Sequence, residues 1–402
     1  MPRHVSISML LVAAAALLTS DVSACPFCTA LKPPLVQRRE SAAVAAVGEL
    51  VEVNADRQVF RLHKILSGQS LLTDRESLTV PRTQANAKAT VVGAAPTVPN
   101  GNVAKIESHL KVGSLAILLA TRPDEASRQL TWEVTPASEL AYAYFVRAPA
   151  ATVPIRERLK FFAGYLEHRD ELLAEDAYLE FGHAPYDEVA RVAELLPMES
   201  LRTWIVDARV PQSRKGFYGL ALGLARSDAD RQANLAVLKK LVLEPADDFR
   251  SGFDGVLGGY LVAAGEPALA LVEERILANP HAAEGDVRHA QTALRFCHEY
   301  GRDRFSSERL SQSTRRLLAR PEFAATAIVD LARWQDWDTL EKIAGLFGQP
   351  GYEPPETTRA IVGYLLACPQ PQAAQALTRL RKLDPKAVAD AEQRLSVLGI
   401  AR

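Results

Sequence analysis

The stretches "GFYGLALGLARSDADRQANLAVLKKLV" (216–242) and "GFDGVLGGYLVAAGEPALALVEERIL" (252–277) each read as an apolar helix, a short break and a second, amphipathic helix. Three further segments, 291–318, 326–347 and 359–383, have the same form. Anchored near the end of each first helix, the units align at Ala225, Ala263, Glu299, Arg333 and Ala367, with separations of 38, 36, 34 and 34 residues. A period of that size made of helix pairs predicts a solenoid, because one pair cannot bury its apolar face without a neighbour. The glycines at 252, 255, 258 and 259 predict close helix-to-helix approach, since an interior Gly otherwise costs about 1 kcal/mol against Ala.

Helical periodicity dominates from Ile155 onward. In "YDEVARVAELL" (186–196), Val189, Val192, Ala193 and Leu196 fall on one helical face. Pro154, Pro185, Pro197, Pro267, Pro321, Pro355, Pro371 and Pro385 recur where helices should begin, positions at which the missing amide hydrogen costs nothing. This region resembles HEAT-type or armadillo-like repeats. The characteristic Trp, Gly, Tyr and Pro positions of tetratricopeptide repeats do not recur in register.

The preceding region, 41–150, reads differently. "AVAAVGELVEV", "VFRLHKIL", "ESLTV", "GSLAILLA", "LTWEVT" and "AYAYFV" are short runs rich in Val, Leu, Ile and aromatics, separated by turn-forming residues. They predict a small all-β barrel or sandwich, interrupted by a long Ala-, Thr- and Pro-rich stretch over 82–109. The order of a cysteine pair, a strand and "FRLHKILSG" resembles the netrin-like and metalloproteinase-inhibitor OB barrels. Those families begin with Cys-x-Cys and carry more disulfides, so inhibitor activity is not transferred.

At the chain start, Arg3, an apolar run from Met9 to Leu18, and Ser23 and Ala24 have the form of an export signal over residues 1–24, too short for an ordinary membrane span. The mature chain is expected to be periplasmic or secreted, with no transmembrane segment. A lead segment, 25–40, follows with "CPFC". Cys25 and Cys28 are read as a local disulfide, with acylation of Cys25 as the alternative, because Val22 to Cys25 also fit a loose lipoprotein pattern. A catalytic thiol pair would need a preceding strand, haem attachment would need His in place of Thr29, and zinc would need a second close pair of ligands. Cys297 and Cys368 are isolated and read as apolar packing. The whole layout, an exported Cys-Pro-Phe-Cys start, a β domain and a helical array over 152–400, resembles exported bacterial proteins of multidomain type.

Composition narrows the function. The chain has 402 residues and a formal net charge of −1, with +3 over 25–150 and −4 beyond it, which argues against a nucleic-acid partner. There is no Gly-x-Ser-x-Gly elbow, phosphate-binding loop or His-Glu-x-x-His. Glu171, Glu175 and Asp176, and Asp247 and Asp248, invite comparison with helical-toroid glycosidases, but solvated helix ends explain these acids better. Arg214, Lys215, Phe217 and Tyr218, and Trp334 and Trp337 beside Arg333, are candidate partner anchors, because Arg and aromatics dominate binding hot spots. The expectation is a non-catalytic, exported scaffold that binds another envelope protein and uses neither cofactor nor metal. The runner-up is a thiol-disulfide or metal-binding protein acting through Cys25 and Cys28.

Overall fold

The computed structural model describes residues 27–28, 32–82, 110–122, 129–245 and 250–397. Cys25, Asp247, Asp248 and nearly all of the 82–109 stretch lie outside them. A β region is followed by a helical one, as the sequence predicts.

Strands β1 (Val44–Val53), β2 (Arg57–Ser67), β3 (Ser77–Pro81), β4 (Leu115–Thr121) and β5 (Thr131–Ala137) form one antiparallel sheet, order β3-β2-β1-β4-β5, curled into a half-barrel. Strands β1 and β4 carry apolar runs over Val44–Val47 and Leu115–Ala120 because both faces of the sheet are covered there. Ala45, Val47, Ile117 and Leu119 face one apolar cluster, while Val44, Ala46, Ala116, Leu118 and Ala120 face another. Gly48 sits at a register shift between β1 and β2, where a Cβ would lie 2.7 Å from the Arg61 carbonyl oxygen.

The sixth expected strand, "AYAYFV", is instead part of helix α2 (Glu139–Arg147). Ser138 caps it, its hydroxyl accepting from the Ala141 N–H at 3.0 Å, and Ala141, Tyr144, Phe145 and Ala148 form a buried stripe. The aromatic run satisfies strand preference, but its burial follows the helical period. α2 packs on β4 and β5 beside α1 (Leu35–Ser41), which begins after Pro34.

Helices α3 (Ile155–Ala163), α4 (Glu171–His183), α5 (Tyr186–Arg191) and α6 (Met198–Trp204) lead into the repeats. The repeat pairs are α7 (Gln212–Gly223) with α8 (Asp228–Leu243), α9 (Phe253–Ala264) with α10 (Glu266–Val272), α11 (Glu284–Tyr300) with α12 (Ser307–Thr314), α13 (Pro321–Arg333) with α14 (Leu340–Gly345), and α15 (Pro355–Ala367) with α16 (Pro371–Leu383). The first helices lie side by side in chain order, and α17 (Pro385–Val397) closes the row. Only Val388, Ala391 and Leu395 of α17 are buried.

The closest helix pair is α7 with α9. Gly216, Gly219 and Gly223 face Gly252, Gly255 and Gly259, and a Cβ on Gly255 or Gly259 would lie 2.0 Å from the carbonyl oxygen of Gly216 or Gly219. Polar side chains tie neighbouring repeats at the sequence period. Gln291 bonds Thr326 and Arg295 bonds Asp330, each 35 residues apart, while Arg250 with Asp286 and Arg309 with Glu273 are each 36 apart.

Candidate functional site

The lead segment is seated on the array. Phe27 is buried, its ring 4.7 Å from that of Phe296 on α11. A Cβ on Gly258 would lie 2.7 Å from two ring atoms of Phe27, and one on Gly216 would lie 2.8 Å from its carbonyl oxygen. The absence of side chains at 258 and 216 therefore creates room for Phe27 as well as for helix contact. Cys28 is half-buried against the same core. The pairing of Cys25 with Cys28 and the acylation of Cys25 rest on a residue outside the described region. Cys297 and Cys368 are buried and free, as expected, and burial pushes the Cys297 thiol up to about 12, the opposite of an activated nucleophile.

Beside this seat, α4 presents two differently used sets of acids. Glu171 and Glu175 are four residues apart and share a face. With Glu167 in the preceding turn, they surround the Arg214 guanidinium, which bonds Glu167 at 3.0 Å, Glu175 at 3.1 Å and also Glu171. Tyr218 donates to Glu167 at 2.6 Å, and Lys32 of the lead segment lies 3.6 Å from Glu175. Burial alone would lower the Arg214 pKa, but Glu167 and Glu171 outweigh it and the shift is upward.

Asp176 turns to a different side of α4. Its Oδ1 accepts from the Leu35 N–H at the start of α1 and its Oδ2 from the Tyr144 hydroxyl of α2, both at 2.6 Å. This buried carboxylate joins the lead segment, the sheet domain and the array. Burial raises its pKa, against these two hydrogen bonds, and burial followed by the Asp176 charge raises that of Tyr144. The signal was present in sequence: Leu173, Asp176, Ala177, Glu180 and Ala184 make one stripe at helical spacing, and an acid on an apolar stripe needs an internal partner.

Glu180 is the second such acid, bonded by Arg158 of α3 at 2.5 Å. Burial, opposed by Arg158 and reinforced by Asp176 and by Glu40 of α1, pushes Glu180 up to about 7. A carboxyl raised in the folded state stabilises fully below its unfolded pKa, near 4.5, and loses that contribution as pH rises through about 7. Glu180→Gln is therefore expected to shallow the decline in stability between pH 5 and pH 8, by up to about 2–3 kcal/mol. Urea midpoints at the two pH values measure this, and an unchanged decline in the variant would refute it.

The expected partner anchors separate into two groups. Arg214 and Tyr218 are 1% and 0% exposed and are spent on the α4 acids, while Phe217 is also interior, so none of the three is a surface anchor. Lys215, Trp334 and Trp337 are half-buried. Trp334 stacks on His298 at 4.5 Å and Trp337 meets Tyr364 edge-on at 5.2 Å. For a glycosidase, Glu171 and Glu175 are already engaged by the Arg214 guanidinium and Asp176 is buried in structural bonds. Among the described residues, no group of acids, histidines and cysteines is arranged to hold a metal, and no helix is long and apolar enough to cross a membrane.

The architecture defines the class, a curled antiparallel sheet joined to a stack of helix pairs. Neither a protein-family model nor a curated protein matches the sequence.

Proposed function

We propose that this is an exported, non-catalytic scaffold of the bacterial cell envelope that binds another protein through a HEAT-like helical array, with an OB-like β domain at its N-terminal end. The observation that carries the reading is the stack of helix pairs, whose second helices keep most of one face in solvent. On α8, for example, only Asn234, Leu238 and Val242 are buried. Such arrays accumulate affinity over many modest contacts along a repeated surface. The clustered acids support the same reading, because they are used to hold the lead segment and the sheet domain against the array. Export follows from the leader, and a Cys25 to Cys28 disulfide or an acylated Cys25 would add a covalent constraint beside the seated Phe27.

A photo-crosslinking amino acid placed at exposed Lys239 on α8 or Gln375 on α16 is expected to yield a reproducible adduct of defined mass in the native envelope. No adduct from either position would defeat the scaffold reading.

A further inference from the structure

The C-terminal ends of α7, α9 and α11 meet around a cleft of about 280 Å³, lined by Gly223, Ala263 and Tyr300. Helix ends present carbonyls without intrahelical partners and a partial negative charge. Three arginines, Arg226, Arg231 and Arg304, line the same cleft with one acid, Asp303, and with Tyr186 and Tyr300, whose rings are 4.6 Å apart.

Two of these arginines are braced. Arg226 donates to the carbonyls of Ala190 at 3.1 Å and Arg191 at 3.3 Å, with Glu194 at 3.7 Å, while Arg231 bonds Asp228 at 2.9 Å and the Arg226 carbonyl at 3.2 Å. Arg304 lies 3.7 Å from Asp303. Their side chains nevertheless stay 60%, 42% and 48% exposed. Held but accessible guanidinia lose less freedom when they engage a ligand.

We propose that this cleft seats an acidic segment of an extended peptide belonging to the partner protein. A carboxylate lies among the guanidinia, backbone N–H groups donate to the helix-end carbonyls, and an aromatic neighbour rests on the Tyr186 and Tyr300 rings. The inference rests on the protein-binding reading and names the chemistry of what is bound. The cleft's mixed polarity favours this occupant. A nucleic-acid strand offers negative charge throughout and would meet Asp303 and three helix C-termini, whereas a peptide supplies donors for the carbonyls and an anion for the arginines.

The test uses the full mature chain and the rhodamine-labelled peptide acetyl-Gly-Glu-Phe-Glu-Gly-amide, read by fluorescence anisotropy beside its Gln counterpart and an oligothymidine strand. The Glu peptide is expected to bind about tenfold more tightly than the Gln peptide, with the difference shrinking at high salt. Arg226→Ala with Arg304→Ala should weaken the Glu peptide by about tenfold or more, and Lys215→Ala should not. The single variant Arg304→Glu, altering a side chain whose one ion pair among the described residues is with Asp303, should show the same direction if the double variant folds poorly. Equal binding of the Glu and Gln peptides, equally tight oligothymidine binding, or no binding at millimolar peptide would overturn the proposal. Envelope adducts from Lys239 and Gln375 that form while the Glu peptide fails to bind would overturn the cleft alone and leave the scaffold standing. Loss of those adducts together with peptide binding in the arginine variants supports both.

Discussion

Gly259→Ala is expected to destabilise the chain by more than about 3 kcal/mol, enough to unfold the middle of the array under conditions where the native protein is folded. The added Cβ would lie 2.0 Å from the Gly219 carbonyl oxygen and 2.7 Å from its carbonyl carbon. A flexible side chain could swing away, but a helix backbone can only retreat as a unit. Moving α9 from α7 also opens the contacts of Gly255 with Gly216 and of Gly223 with Gly259, so one methyl group disrupts the whole seam. Gly345→Ala on α14 is the control. Beyond its chain neighbours and its own helix backbone nothing lies within 4 Å of its Cβ position, so it should be neutral or gain up to about 1 kcal/mol of helix propensity. Urea unfolding of both variants decides the matter, and similar midpoint shifts for the two would show that packing between backbones is not what the glycines provide.

That seam was partly legible in the sequence. Glycines at 216, 219 and 223 and at 252, 255 and 259 have the same spacing in adjacent units, which marks two helix faces able to meet. The prolines are equally informative, as Pro321, Pro355, Pro371 and Pro385 each open a helix. The Arg214 to Tyr218 stretch misled because Arg and aromatics suggest an interface by type alone. From Gly216 to Gly223 no charged residue occurs, and a helical stretch that is apolar all round is interior, which argues against an exposed anchor there. The acids that neutralise Arg214 are some 40 residues earlier, and their meeting depends on how α4 stacks against α7. The seat of Phe27 is more distant still, since Gly258 and Phe296 lie over 200 residues away and local pattern holds no record of that contact.

Phe27→Ala is expected to cost about 3–5 kcal/mol if the surrounding helices hold their places, since a buried ring is lost and the glycine seam limits collapse around the gap. The loss is capped by the free energy of seating the lead segment on the array. Beyond that cap the segment leaves while the array remains, and amide exchange should rise first along α1, which Asp176 joins to the array through Leu35. A second substitution makes the assignment specific. Gly258→Ala should destabilise the native chain because its Cβ falls 2.7 Å from two atoms of the Phe27 ring. In the Phe27→Ala background the same Cβ enters space vacated by that ring and its cost should largely vanish. The double-mutant cycle is therefore expected to show a coupling of at least about 1 kcal/mol. Costs that simply add would mean that residue 258 is glycine for helix packing alone, and that the Phe27 ring contributes no specific fit.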